Sequence, residues 1–149
     1  MSPSNYLTVF TLDEQRFALR LASVERVFRM MEITPLPKAP EIVLGVVNLQ
    51  GQIVPVVNIR KRFRLPEKEA DLSDQLIVAQ TPRRVIAMIV DEVSGILEYS
   101  GSEVIAAETL LPGIEYIESV VKLEDGMILI HDLDKFLSLD EEKALDEAL

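Results

Sequence analysis

The residues of this sequence best suited to chemistry are His131 and the aspartates that follow it. His131 is the only histidine of the 149 residues, and Asp132 and Asp134 come next. A histidine beside carboxylates can act as a general base, serve a nucleophile or bind a metal. In an internal repeat described below, His131 aligns with Val57, which favours a structural strand position. The alternative to this structural role is a small enzyme or metal protein that uses His131 and Asp132.

No other pattern for catalysis or cofactor binding is present. The chain has no cysteine, which excludes disulfides, thiolate metal sites and cysteine nucleophiles. It also lacks a G-x-S-x-G nucleophile turn, a P-loop and a G-x-G-x-x-G stretch after a strand. We therefore predict no catalytic residue, no cofactor and no metal.

The charge of the chain limits its partners. With 25 acidic and 15 basic residues the net charge is −10, which opposes binding to nucleic acid or to an anionic membrane. No apolar run approaches the ~20 residues that span a bilayer, and the opening MSPSNYLTVF lacks a signal-peptide pattern. We expect a cytoplasmic protein without membrane insertion. The basic run RKRFR at 60–64 is interpreted as a solvated turn or as an anchor for an acidic partner.

Short β-branched runs separated by turn residues predict an all-β fold. One C-terminal helix is also indicated near 139–148, because Ser138 and Glu141 form a capping box ahead of it. Ten strands of this length favour small barrels over a parallel sheet. They are predicted near residues 6–12, 15–21, 25–32, 42–49, 52–59, 75–81, 84–90, 95–99, 116–123 and 127–131.

The sequence contains an internal repeat. FALRLASVERV at 17–27 aligns with IAMIVDEVSGI at 86–96, and VVNLQGQIVPVVNI at 46–59 aligns with VVKLEDGMILIHDL at 120–133. Two alignments in the same order predict two similar lobes of five strands with a groove between them. We place lobe one at 6–64, a linker-like loop at 65–74 and lobe two at 75–137. Exchange of strands between the lobes of this single domain is left open.

The stretch GVVNLQGQIVPVVNI at 45–59 predicts a hairpin. Its odd positions are wholly apolar and its even positions are mixed, and alternate residues of a strand face opposite ways. Both strands can bury their odd positions if the turn is a three-residue loop, Leu49-Gln50-Gly51, with Gly51 in the left-handed conformation. Pro55 places the second strand at an edge or a bulge. The even face is then a candidate partner surface.

These segments together resemble the CheW-like domain family of bacterial chemotaxis over about residues 6–138. The most specific stretches are TPLPKAPEIVLGVVNLQGQIVPVVNIRKRF, AMIVDEVSGIL and MILIHDLDKFL. The resemblance implies two five-stranded SH3-like β-barrels packed together. It also implies a non-catalytic adaptor that couples the cytoplasmic tips of methyl-accepting chemoreceptors to the regulatory domain of the histidine kinase CheA. An adaptor of a non-flagellar chemosensory pathway with altered partners is the alternative.

The resemblance also implies which residues meet these partners. The receptor groove would include Leu21, Val24, Arg26 and Val27, although the three apolar residues are equally compatible with barrel core. The partner-facing hairpin would include Gly45, Val46, Asn48, Gln50 and Gly51. Two positions depart from the family pattern, with Gln50 in place of the usual arginine and Arg26 where glutamate is common. An amide in place of a guanidinium replaces a charge-assisted contact by an ordinary hydrogen bond.

Overall fold

The computed structural model describes residues 5–106 and 116–149 and has the predicted mostly-β architecture. Within these residues all ten predicted strands are present, together with the capped C-terminal helix and one further strand, β9. The strands are β1 Tyr6–Leu12, β2 Gln15–Arg20, β3 Val24–Arg29, β4 Val43–Leu49, β5 Gln52–Val57, β6 Gln75–Gln80, β7 Val85–Val90, β8 Glu92–Glu98, β9 Val104–Ala106, β10 Ile117–Leu123 and β11 Gly126–His131. The helices are α1 Ile59–Arg62 and α2 Leu139–Ala148, with 3-10 turns at Leu21–Ser23, Gly101–Glu103 and Leu133–Lys135.

The strands form two sheets, and each sheet takes strands from both halves of the sequence. The six-stranded sheet has the order β8-β1-β2-β11-β10-β9 and the five-stranded sheet the order β3-β6-β7-β5-β4. The contiguous ranges 6–64 and 75–137 therefore do not coincide with the sheets, because β1 and β2 pair with strands of the second half, and β6 and β7 with strands of the first. Residues 107–115 of the second range lie outside the described residues.

The two sheets repeat the same strand pairing. Ala18 of β2 pairs in parallel with Ile130 of β11, and Ala87 of β7 pairs in parallel with Val56 of β5. The two alanines align with each other in the sequence repeat, and so do Val56 and Ile130. The predicted repeat is therefore present in the structure at the level of individual residue pairs.

Irregularities in the strands repeat as well. The β3–β6 ladder shifts register between Val24 and Arg26, and the β8–β1 ladder shifts at the aligned positions Val93 and Gly95. The β4–β5 and β10–β11 ladders shift between residues 43 and 45 and between residues 117 and 119, which also correspond. Because a bulge bends its strand and increases the local twist, the two sheets curl in the same way.

Each sheet has its own core on one face and shares a second core with the other sheet. The two separate cores occupy aligned positions: Leu7, Val9, Ala18, Val121, Ile128 and Ile130 in the six-stranded sheet, and Leu76, Val78, Ala87, Val47, Val54 and Val56 in the five-stranded sheet. The core between the sheets, here called the shared core, includes Phe10, Leu12, Phe17, Leu19, Val57, Phe63, Ile77, Met88, Phe136 and Leu145. The helix α2 enters it through Leu145, which is fully buried.

The turn of the β4–β5 hairpin is shorter than predicted. Leu49 pairs with Gln52, so the turn consists of Gln50 and Gly51 alone. Both have positive φ, 54° and 92°, as a type I′ turn requires. The left-handed conformation of Gly51 is confirmed, while the three-residue loop is wrong.

This turn changes which side of β5 is buried. With two turn residues, Val47 of β4 lies opposite Val54 of β5, and both are buried, whereas Ile53 is 52% exposed. The prediction that odd positions of β5 form the core is therefore wrong at Ile53, because one residue fewer in the turn reverses the alternation of the second strand.

The five-stranded sheet is closed by a short contact at Gly45. The chain after β3 returns to β4, where Thr34 and Val46 exchange two backbone hydrogen bonds of 2.9 and 2.8 Å. A side chain at Gly45 would place its Cβ 2.4 Å from the Thr34 oxygen. In the six-stranded sheet, β9 closes onto β10 in the same manner, with Ile105 opposite Val120.

The segment RKRFR is neither a solvated turn nor a free basic patch, because its first cation is buried. Arg60 is 7% exposed and donates to Asp13 at 3.0 Å, to Asp91 at 2.8 Å and to the Pro66 carbonyl at 2.9 Å. It thereby joins α1 to the β1–β2 turn and to the junction of β7 and β8. Burial would raise the pKa of Asp91, but the Asp13 N–H and Arg60 outweigh it and leave that pKa lowered.

We predict that Arg60→Gln lowers the free energy of unfolding by about 1–3 kcal/mol, since it leaves Asp13 without its charged partner and Asp91 with Lys68 alone. Arg64→Gln, in the same run but exposed and in no ion pair of the described residues, is the matched control and should change it by less than about 0.5 kcal/mol. Urea unfolding measures both. Equal stability of the two variants would contradict a structural role for Arg60.

Candidate functional site

The tip of the β4–β5 hairpin presents amides to solvent. Asn48, Gln50 and Gly51 are exposed, and the Asn48 Oδ1 accepts a hydrogen bond of 2.8 Å from the Gly51 N–H. This bond holds the turn, and the Gln50 side chain is exposed beside it. The remaining two residues assigned to this surface lie elsewhere: Gly45 is buried and Val46 half-buried.

Sequence reasoning missed Ile53 at this tip. Ile53 lies directly opposite Asn48 in the ladder and is 52% exposed. The aligned position of the other lobe, Met127, is 54% exposed at the tip of β10–β11. An exposed aliphatic side chain can supply the apolar core of a protein–protein contact, with polar groups such as amides at its rim. The repeat identifies Ile53 and Met127 as equivalent positions, but it does not indicate that they are exposed.

The four residues assigned to the receptor groove lie on and before β3, the outer strand of the five-stranded sheet. Val24 and Val27 are half-buried and pack against the shared core. Leu21 is half-buried in the 3-10 turn before the strand. Arg26 is exposed, with its guanidinium 5.5 Å from the centre of the Phe28 ring. The two valines thus contribute to the core and keep part of their surface accessible.

The corresponding strand of the other lobe, β8, adds residues to this description. Val93 aligns with Val24 and likewise packs against the shared core. Ile96 aligns with Val27 but is 64% exposed, one of the largest exposed apolar side chains of the described residues. The repeat alignment could have identified Ile96 as a second groove candidate, because it places Ile96 on Val27.

The hairpin tip and the β3 residues lie on strands that do not pair with each other. The strand β3 pairs with β6, whereas β4 and β5 pair with each other and β5 with β7. The two sets of candidate residues are therefore positioned by different strand pairings. A protein with this arrangement can offer one surface to each of two partners.

The basic residues after β5 are committed within the chain. Besides Arg60, Lys61 forms an ion pair with Glu41, and Arg62 donates to both carboxylate oxygens of Glu141 at 2.6 and 2.7 Å. The latter contact attaches α1 to α2. An anchor for an acidic partner is therefore not available at these three positions.

His131 occupies an aromatic cluster and not a polar site. It is 2% exposed, and its ring lies 3.9 Å from that of Phe63 and 5.0 Å from that of Phe17. Burial lowers its pKa to about 3, against a smaller opposing effect of the Tyr116 backbone. Neither ring nitrogen has hydrogen-bond geometry to a described residue. The neutral ring is thus a packing element, as its alignment with Val57 indicates.

The aspartates after His131 have a local structural role. The Asp132 carboxylate accepts a hydrogen bond of 3.1 Å from the Asp134 N–H and caps the 3-10 turn that follows. Asn58, at the aligned position, caps α1 in the same way through the Lys61 N–H at 3.1 Å. Among residues 5–106 and 116–149, no group of three or more histidine or acidic side chains is arranged to hold a metal ion.

The comparisons with known proteins agree with this architecture. The family model of the CheW-like domain matches residues 7–141. The chemotaxis protein CheW of Rhizobium meliloti is 31% identical over 140 residues, 93% of this chain and 90% of that protein. CheW of Thermotoga maritima is 31% identical over 128 residues, 86% and 84% of the two chains.

A solved structure shows the same fold. The scaffolding protein TtCheW from Thermoanaerobacter tengcongensis superimposes with a TM-score of 0.82 at 24% identity, over 93% of this chain and 90% of that one. The chain belongs to the CheW-like domain family. It is thus a non-catalytic protein of chemotaxis signal transduction.

Within the described part of the chain, no helix is long and apolar enough to cross a membrane.

We predict a pH dependence of stability that originates in His131. Between its unfolded pKa of ~6.5 and its folded pKa of about 3, only the unfolded chain binds the proton, so stability is complete above pH 6.5 and falls as the pH is lowered. The loss between pH 8 and pH 5 should be about 2 kcal/mol.

The variant His131→Phe removes the only histidine. Its free energy of unfolding, measured by urea unfolding at each pH, should therefore change much less between pH 8 and pH 5. The comparison uses the slope with pH, so that a change in packing alone does not affect the result. An unchanged slope in the variant would show that other groups account for the pH dependence.

Proposed function

We propose that the chain couples chemoreceptors to CheA through two surfaces: the β4–β5 tip for the kinase regulatory domain, and the outer strands β3 and β8 for the receptor's cytoplasmic tip. We place the protein in the cytoplasm, where both partners present these parts. The observation that carries this proposal is that apolar side chains are exposed on both surfaces, while different strand pairings position them. Both partners can then be bound at the same time.

The β4–β5 tip is suited to a protein partner because it is preorganised. The type I′ turn and the Asn48–Gly51 hydrogen bond of 2.8 Å fix the backbone, so little conformational entropy is lost on binding. Ile53, 52% exposed, supplies apolar area. Gln50 supplies a neutral amide, so this contact should depend less on salt than an arginine contact would.

The outer strands are suited to the apolar side of a receptor helix. Ile96 is exposed, and Val27 and Val93 keep part of their surface accessible beside the shared core. Arg26 adds a cation at the edge of β3. An amphipathic helix with acidic residues beside its apolar stripe would match this combination.

For the kinase surface we predict that Ile53→Asp weakens binding to the purified regulatory domain of the cognate CheA by about tenfold or more, because a charge replaces a contact side chain. Met127→Asp, at the aligned and equally exposed tip, is the matched control and should leave this affinity unchanged. Isothermal titration calorimetry measures both. Loss of binding in Met127→Asp alone would assign the kinase to the other hairpin.

For the receptor surface we predict that Ile96→Asp weakens binding to a soluble cytoplasmic receptor fragment by about tenfold and leaves kinase binding intact. Since Ile96 is 64% exposed, thermal stability should stay near that of the unmodified chain. Ile53→Asp should weaken kinase binding and leave binding to the receptor fragment intact. If one substitution abolished binding to both partners without unfolding, the assignment of two separate surfaces would be wrong.

A further inference from the structure

The loop at 65–74, expected from composition to be a linker, is held to the body of the protein. Arg60 donates to the Pro66 carbonyl at 2.9 Å, and the Asn58 amide donates to Glu67 at 2.7 Å. Asp74, only 3% exposed, accepts a hydrogen bond of 2.8 Å from the Asp71 N–H. The conformation of the loop is thus fixed by buried polar groups.

This ordered loop displays a leucine to solvent. Leu72 is 92% exposed, the most exposed large apolar side chain of the described residues. It borders a groove of about 480 Å³ whose other apolar lining consists of Met30, Met31, Ile33 and Ala70. Methionine side chains adapt to varied apolar surfaces and are common where proteins bind helices. The groove thus combines methionine side chains that can adapt to a partner with an exposed leucine on a loop of fixed conformation.

The charges at this groove select for a basic partner. Glu32 and Asp71 line it, and Glu69 is exposed in the same loop. Lys68 forms its ion pairs with Asp74 at 3.5 Å and Asp91 at 3.4 Å and adds only a weaker attraction to Asp71, so Glu32 and Glu69 keep their full charge at this groove. A second copy of this chain would bring a net charge of −10 against an acidic rim, which disfavours self-association.

We propose that the groove between residues 30–33 and the Leu72 loop binds an amphipathic helix of another protein, with aliphatic side chains flanked by lysine or arginine. Leu72 packs between the aliphatic side chains of the helix, and Glu32 and Asp71 face its cations. The site uses neither the β4–β5 tip nor the exposed residues Ile96 and Arg26. Its lining therefore shares no residue with the proposed kinase and receptor surfaces.

The test uses the isotope-labelled full chain and a synthetic amphipathic helix of leucine and lysine, with a matched helix of leucine and glutamate. The lysine peptide should shift the amide resonances of residues 30–33 and 69–72, and the glutamate peptide should not. Leu72→Gln should weaken binding of the lysine peptide by about tenfold. Leu139→Gln, an exposed leucine on α2 (69%), is the control and should have no effect.

Two results would overturn the proposal. Equal affinity of Leu72→Gln and the unmodified chain would mean that the peptide binds the acidic surface without using the groove. Loss of receptor-fragment or kinase binding in Leu72→Gln, with the fold intact by circular dichroism, would make the groove part of one of those surfaces. A further variant, Glu32→Gln, should weaken binding of the lysine peptide and reduce the salt dependence of that binding.

Discussion

Two short parallel pairings connect distant parts of this chain and make each sheet depend on both halves of the sequence. Ala18 near the N-terminus pairs with Ile130 near the C-terminus, and Val56 pairs with Ala87. The β1–β2 hairpin of the first half belongs to the sheet of β8–β11, and the β6–β7 hairpin of the second half belongs to the sheet of β3–β5. Neither half of the sequence therefore contains a complete sheet. The shared core then forms between the two sheets, and the outer strands β3 and β8, which carry the accessible apolar residues, are placed at its margin.

Ion pairs also connect distant parts of the chain, and they determine which charged side chains remain available to partners. Arg60 joins α1, the β1–β2 turn and the start of β8, while Arg62 and Arg84 attach α2 through Glu141 and Glu142. These cations are committed to internal pairs, whereas many carboxylates remain at the surface. With 25 acidic against 15 basic residues, the accessible surface is acidic, and its apolar positions are the natural points for specific contact.

The sequence was sufficient to predict the strands, the capped helix, the repeat and the family, because each depends on local spacing. It could not predict features set by distant contacts. The burial of Arg60 depends on Asp13 and Asp91, which are remote in sequence. The alignment left the exchange of strands between the lobes open, because it shows similarity but not pairing. The exposed Ile53 was missed because Gln50, not a glycine, adopts positive φ, and the turn is one residue shorter than its composition suggested.

The exchange of hairpins also determines the order in which the sheets can form on the ribosome. All strands of the five-stranded sheet lie between residues 24 and 90, so this sheet can be completed while the rest of the chain is still being made. The β1–β2 hairpin is synthesised first, yet its neighbours β8 and β11 are made only after all strands of the five-stranded sheet. Its open edges and the apolar side chains Leu7, Val9 and Phe10 are exposed during that interval, when unpaired strands associate most readily with other chains. The first hairpin to be made is thus the last to be protected, and premature termination before β11 leaves it permanently without its parallel partner.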